Sequence, residues 1–177
     1  MARRRLSLKA WKAVPLKRLS AADAPLLMPL GGGVFSPLRR TPELVNYWLD
    51  CPAGEIRAWR LEHAGNAVGF LALSFLRKEA RIVDLVVNQP SAPLAEAYSL
   101  AIDLAMRQSH ACELRAASSA PPAIQAMAAA GMIERAVFEV FLGDPGKSFP
   151  SDLPVEVNFT VGDGFYQQAA QPYFYTF

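Results

Sequence analysis

The feature that most limits how this chain folds is the run Arg81-Ile82-Val83-Asp84-Leu85-Val86-Val87, apolar and β-branched apart from one carboxylate, and closed by the turn Asn88-Gln89-Pro90-Ser91-Ala92-Pro93. A run of this length bounded by turn residues reads as a strand, and its apolarity at successive positions predicts a central strand covered on both faces. Such a strand needs neighbours on either side and helices above and below. The rest of the chain therefore has to supply them.

It does so on both sides of the run. Ile56 to His63 and Ala67 to Phe75 are β-prone segments joined by Ala64-Gly65-Asn66, which predicts a hairpin. Arg77-Lys78-Glu79 is a second polar turn leading into Ala80 to Val87, so three successive antiparallel strands are expected. Leu94 to Gln108 places Leu94, Ala97, Tyr98, Ala101, Leu104 and Ala105 on one side and Glu96, Ser99, Asp103 and Arg107 on the other, an amphipathic helix. Ala111 to Ala117 alternates as a strand does. Ser118-Ser119-Ala120-Pro121-Pro122 opens a helix to Ala130, with Gly131 placed to end it in the left-handed conformation. Ile133 to Leu142 and Val155 to Val161 read as two more strands. The order predicts an α/β (α+β) architecture, a mixed central sheet of about six or seven strands flanked by about four helices.

Upstream, Ala13 to Leu19 is expected to form an edge strand, followed by a short helix with Ser20 as N-cap and Asp23 in its first turn. Met28-Pro29-Leu30-Gly31-Gly32-Gly33 stops that helix; with no Gly-Lys-Ser/Thr and no strong strand before it, the glycine run is read as a plain loop. Thr41-Pro42-Glu43-Leu44 combines a hydroxyl N-cap, Pro at the first position and an acid in the first turn, and Leu44, Val45, Trp48 and Leu49 then share one helix face.

Composition sets the remaining bounds. With 177 residues, 52% apolar and 19% charged, the chain is expected to be a single domain over 1–177. Residues 1–18 hold seven bases and no acid, leaving 11 bases against 16 acids in the remainder. The arm at 1–12 is read as a solvated terminus rather than a nucleic-acid surface, because its bases do not line an aromatic-studded face. Cys51 and Cys112 are far apart and lack CxxC spacing, so neither a zinc site nor a disulfide framework is expected and a reducing, cytoplasmic setting fits. No apolar run approaches the ~20 residues of a membrane span, and bases interrupt the N-terminus where a signal peptide would be apolar. The tail at 162–177 carries Phe165, Tyr166, Tyr173, Phe174, Tyr175 and Phe177. Those aromatics either cover an edge of the same subunit or pack on a second copy as a homodimer contact.

The order of elements, together with Ala123-x3-Met127-x3-Gly131-Met132 at the helix-to-strand junction, resembles the GNAT (Gcn5-related N-acetyltransferase) acyltransferase fold over most of the chain. The segment Arg40-Thr41-Pro42-Glu43-Leu44-Val45-Asn46-Tyr47-Trp48 is similar to the helix preceding the hairpin in GNAT-like domains of larger bacterial acyltransferases. The resemblance implies transfer of an acyl group from acetyl-CoA or another acyl-CoA to a small-molecule amine, without a metal. It implies that the central strand splays from its neighbour and binds the pantetheine arm through free backbone groups, here at Leu85, Val86 and Val87. It also implies that the following turn, at Gln89, Ser91 and Ala92, receives the pyrophosphate. Gln89 matches the family's turn, whereas Ala92 and Leu94 stand where glycines are usual, and Pro90 and Pro93 each remove a donor. Met127 occupies the place of a frequent tyrosine acid and has no proton to give.

A base is needed to deprotonate the amine, and Asp84 and Glu79 are the candidate catalytic residues. Inside an apolar strand, desolvation would raise the pKa of Asp84; the alternative is a structural carboxylate bonded to Arg81, Arg115 or backbone. His63 and His110 sit beside turns without nucleophile partners. Trp59 and Phe75 suit core packing ahead of a pocket wall, and Asp163-Gly164 reads as a turn. Two functions stay open: the acyltransferase, and a catalytically degenerate GNAT-like module binding a ligand or partner.

Overall fold

A computed structural model of the chain describes residues 7–29, 40–52, 54–76, 78–108, 111–118 and 120–134. In chain order these form β1 (Trp11–Leu16), a 3-10 helix (Ala21–Leu27), α1 (Pro42–Leu49), β2 (Glu55–His63), β3 (Asn66–Phe75), β4 (Glu79–Val87), α2 (Leu94–Gln108), β5 (Glu113–Arg115) and α3 (Pro121–Ala129). The strands make a five-stranded sheet in the order β1-β2-β3-β4-β5. The first four are antiparallel neighbours and β5 joins β4 in parallel, as a crossover helix requires. This is the mixed α/β sheet expected from the sequence. The strands expected at 133–142 and 155–161, the tail at 162–177 and the glycine run at 31–33 lie outside the described residues.

Local chemistry accounts for the turns. Ala64 and Gly65 both have positive φ, 49° and 84°, which gives the two-residue turn whose twist suits a hairpin. Pro15 is accommodated because β1 bonds to β2 on one side only among the described residues. The 3-10 form of Ala21–Leu27 goes with Pro25 inside it, and Asp23 returns to the Ser20 N–H and hydroxyl, 2.8 Å each. At α1 the Thr41 hydroxyl accepts from the Leu44 N–H at 3.2 Å. Gly131, at φ 89°, closes α3: its N–H bonds Ala128 and the Met132 N–H bonds the Met127 carbonyl, both at 3.0 Å.

Two apolar layers sandwich the sheet. On one face, α2 and α3 cover Trp59, Leu61, Leu71, Leu73, Ala80 and Ile82; Met127 and Ala92 are buried in this same layer. On the other, the 3-10 helix and α1 cover Ala58, Phe70, Ala72 and Val83, with Leu27 and Val45 wholly buried. Asn46 fastens α1 to the end of β1 by accepting from the Leu19 N–H at 2.8 Å and donating to the Leu19 carbonyl at 2.9 Å. Trp59 is core, and Phe75 is packed there too with the Arg57 guanidinium 5.0 Å above its ring.

Candidate active-site cleft

The candidate site begins where β4 runs past its pairing with β5. β5 pairs with β4 only at Glu79↔Glu113, Ala80↔Leu114 and Arg81↔Arg115, while β4 stays bonded to β3 as far as Val87↔Gly69. Among the described residues no strand continues along the β5 side of Ile82–Val87. Alternate residues of that segment turn N–H and C=O groups to this side, and buried backbone groups need partners. Leu85 and Val87 are half-buried against the α2 layer and Val86 is buried.

A bulge sits just past the last pair that β4 makes with β5. The register passes from Leu73↔Ile82 to Ala72↔Asp84, so Val83 is an extra residue on β4. Ile82 packs in the α2 layer, Val83 packs in the α1 layer, and Asp84 lies opposite Ala72, itself an α1-layer residue. Without the extra residue, strict alternation would turn Asp84 to the same face as Ile82. The bulge therefore removes a carboxylate from the apolar α2 layer.

What it meets instead is Arg40, the residue before the N-cap of α1. The Arg40 Nε donates to Asp84 Oδ2 at 2.7 Å and Nη2 to Oδ1 at 3.2 Å, with both side chains almost fully buried. A cation just before a helix N-terminus opposes the helix dipole, so Arg40 needs an acid, and Asp84 supplies it. The structural alternative for Asp84 named Arg81, Arg115 or backbone; Arg40 holds it.

Glu79 lies on the same α1 face two residues before Arg81, and both are buried. Its Oε1 accepts from Arg81 Nε, and its Oε2 lies 3.1 Å from Arg115 Nη1. Arg81 and Arg115 are in register on adjacent strands, an unfavourable like-charge pairing that Glu79 offsets from between them. Arg115 is also paired with Glu113 at 3.1 Å. Both candidate bases are thus engaged by arginines, Glu79 within the β4–β5 pairing and Asp84 just beyond it.

The turn after β4 is drawn tight. The Asn88 N–H donates to the Val68 carbonyl at 2.8 Å and the Ala92 N–H to the Gln89 carbonyl at 3.1 Å. Asn88 Nδ2 also reaches the Pro25 carbonyl at 2.9 Å, and Gln89 Nε2 points to the Ala67 carbonyl at 3.4 Å. Ser91 is exposed, whereas Ala92 is 5% exposed. In the first turn of α2, Glu96 accepts the Trp11 indole N–H at 2.7 Å. These residues do not fit a diphosphate cradle, because two prolines lack donors, one amide is spent on β3 and another inside the turn, and a carboxylate stands in the first turn of the helix.

Arg40 and Glu96 are the contacts around the candidate site that sequence reasoning missed. The signal for Arg40 was its place before Thr41-Pro42, a position hostile to a cation. Met127 lies in the core, 4% exposed, rather than at the cleft surface. Among the described residues no group of three or more His, Cys, Asp or Glu could hold a metal, and no helix is long and apolar enough to cross a membrane.

Comparison with known proteins gives one solved structure with a related arrangement, a tandem GNAT protein from the clavulanic acid biosynthesis pathway (without AcCoA). It is 16% identical, with a TM-score of 0.47, over 71% of this chain and 44% of that chain. This chain spans under half the length of that protein. No family model matches the chain, and no curated protein matches it.

Proposed function

We propose that this chain is a divergent GNAT-like domain that binds an acyl thioester along the free edge of β4 and transfers its acyl group to an amine. The observation that carries the reading is the three-residue pairing of β4 with β5, after which, among the described residues, no strand pairs with that side of β4 beside the bulge. An extended arm containing amides satisfies such an edge as an added strand does. Transfer forms the C–N bond and breaks the C–S bond; the amine's proton goes to a base and the thiolate leaves with a proton. Asp84 is the better candidate base, since it lies on the part of β4 beyond the pairing with β5, while Glu79 lies within that pairing. A thioester donor at 100 times its Kd stabilises the fold by ~2.7 kcal/mol, visible as a rise in Tm. Acetyl-pantetheine and acetyl-CoA both leaving Tm unchanged at millimolar concentration would remove this reading.

A second reading is supported by the ion pairs themselves. With Asp84 committed to Arg40 and Glu79 to Arg81 and Arg115, the domain would bind the thioester arm, or a partner's extended strand, without turning it over. Thiol release in the presence of a panel of amines separates the two: binding without release selects the second.

A further inference from the structure

We infer that the donor is recognised through its acyl-pantetheine portion alone, and that the nucleotide diphosphate of coenzyme A contributes nothing to binding at the turn after β4. This rests on the reading of the β4 edge as a thioester site and goes on to name the class of donor. A diphosphate site at a helix start needs uncommitted amides, an unopposed positive helix end and preferably a cation. Of residues 88–93, Pro90 and Pro93 have no N–H, and Asn88 and Ala92 spend theirs on Val68 and Gln89. Only Gln89 and Ser91 keep an amide not committed to a backbone carbonyl of the described residues. In the first turn of α2 the Glu96 and Ala97 amides bond the Pro93 carbonyl at 3.1 and 3.2 Å, so the amides left there without a backbone acceptor among the described residues are those of Leu94 and Ala95, next to the Glu96 carboxylate.

Charge points the same way. The Glu96 carboxylate is fixed by the Trp11 indole at the end of the helix dipole that a phosphate would occupy. No ion pair neutralises it among the described residues. Nor can the turn lift to open a pocket without cost, because Ala92 is buried in the α2 layer and Asn88 is tied to Val68 and Pro25. The β4 edge makes no such demand, since the pantetheine arm is uncharged and carries amides that pair with strand backbone. The donor class is therefore an acyl-pantetheine thioester, whether free, on a nucleotide or on a carrier protein's phosphopantetheine.

Calorimetric titration of the full chain with S-acetyl-pantetheine, acetyl-CoA and adenosine 3′,5′-bisphosphate tests this. The expected result is that the two thioesters bind within about threefold of each other and the bisphosphate does not compete. Acetyl-CoA binding more than about 30-fold tighter than acetyl-pantetheine overturns the inference and leaves the thioester reading standing. Neither thioester binding overturns both. Pro90→Gly, Pro93→Gly and Glu96→Gln combined restore donors and remove the charge, while the side-chain amide carbonyl introduced at position 96 still accepts from the Trp11 indole. With folding checked by a cooperative melt, the combined variant is expected to gain about tenfold for acetyl-CoA with acetyl-pantetheine unchanged. No gain, or an equal gain for both ligands, counts against the inference.

Discussion

Asp84 and Arg40, separated by 44 residues in sequence, meet through two hydrogen bonds that join the bulge of β4 to the residue before the N-cap of α1. Removing one partner strands the other in a buried setting, which costs about 3–5 kcal/mol. Arg40→Met and Asp84→Asn are each expected to lose that much in urea denaturation, and Arg40→Met with Asp84→Leu to recover most of it. A double-mutant cycle reads the coupling; strictly additive losses would mean the pair is not an energetic unit.

Glu79 keeps two arginines in register from repelling each other. Glu79→Gln is expected to cost about 3–5 kcal/mol, seen as a lower denaturation midpoint with the slope unchanged. If the folded variant still transfers an acyl group at the wild-type rate, Glu79 is a positioning residue for the β4–β5 junction and not the base.

Gly69 on β3 has no room for a side chain against β4, since a Cβ there would lie 2.0 Å from the Val86 carbonyl oxygen. Gly69→Ala must push β4 aside, at about 1–3 kcal/mol, and is expected to weaken thioester binding along with stability. Gly54→Ala, where a Cβ meets nothing within 4 Å, is the control and is expected to fall within about 0.5 kcal/mol of wild type in the same melts.

The Glu43 carboxyl in the first turn of α1 is held below its ordinary range by its own backbone N–H and, secondarily, by the Thr41 hydroxyl. A depressed acid stabilises the fold above its unfolded pKa, and the contribution disappears as pH falls through the depressed value. The stability difference between wild type and Glu43→Gln is therefore expected to be constant at neutral pH and to shrink only in that acidic window. A difference that grows on acidification would contradict the assignment.

Local pattern carried much of this architecture. The helix Leu94–Gln108 is found at the residues its apolar spacing gave, and the hairpin and β4 start within one residue of their expected ends. Gly131 has the left-handed conformation its place after α3 required. The first strand runs over Trp11–Leu16 rather than Ala13–Leu19, because Trp11 is fixed by pairing with His63 and by its bond to Glu96, contacts that no neighbour in sequence announces. β5 is confined to Glu113–Arg115, since alternation marks a willing strand but only the partner decides how far it pairs. The bulge at Val83 was equally illegible: an apolar run looks the same with or without one extra residue. Arg40 and Asp84 could each be noticed, but their meeting depends on that bulge.

The parallel junction between β4 and β5 has a further consequence for motion. With only Glu79–Arg81 and Glu113–Arg115 in register, few bonds must break for that seam to part, whereas Phe70–Leu73 lie between two full-length neighbours. Amide protons of residues 113–115 should therefore trade with deuterated solvent through local fluctuations, and those of 70–73 only when the whole domain unfolds. Among the described strands the β4–β5 seam is the shortest, and it adjoins the stretch of β4 where the thioester is proposed to lie.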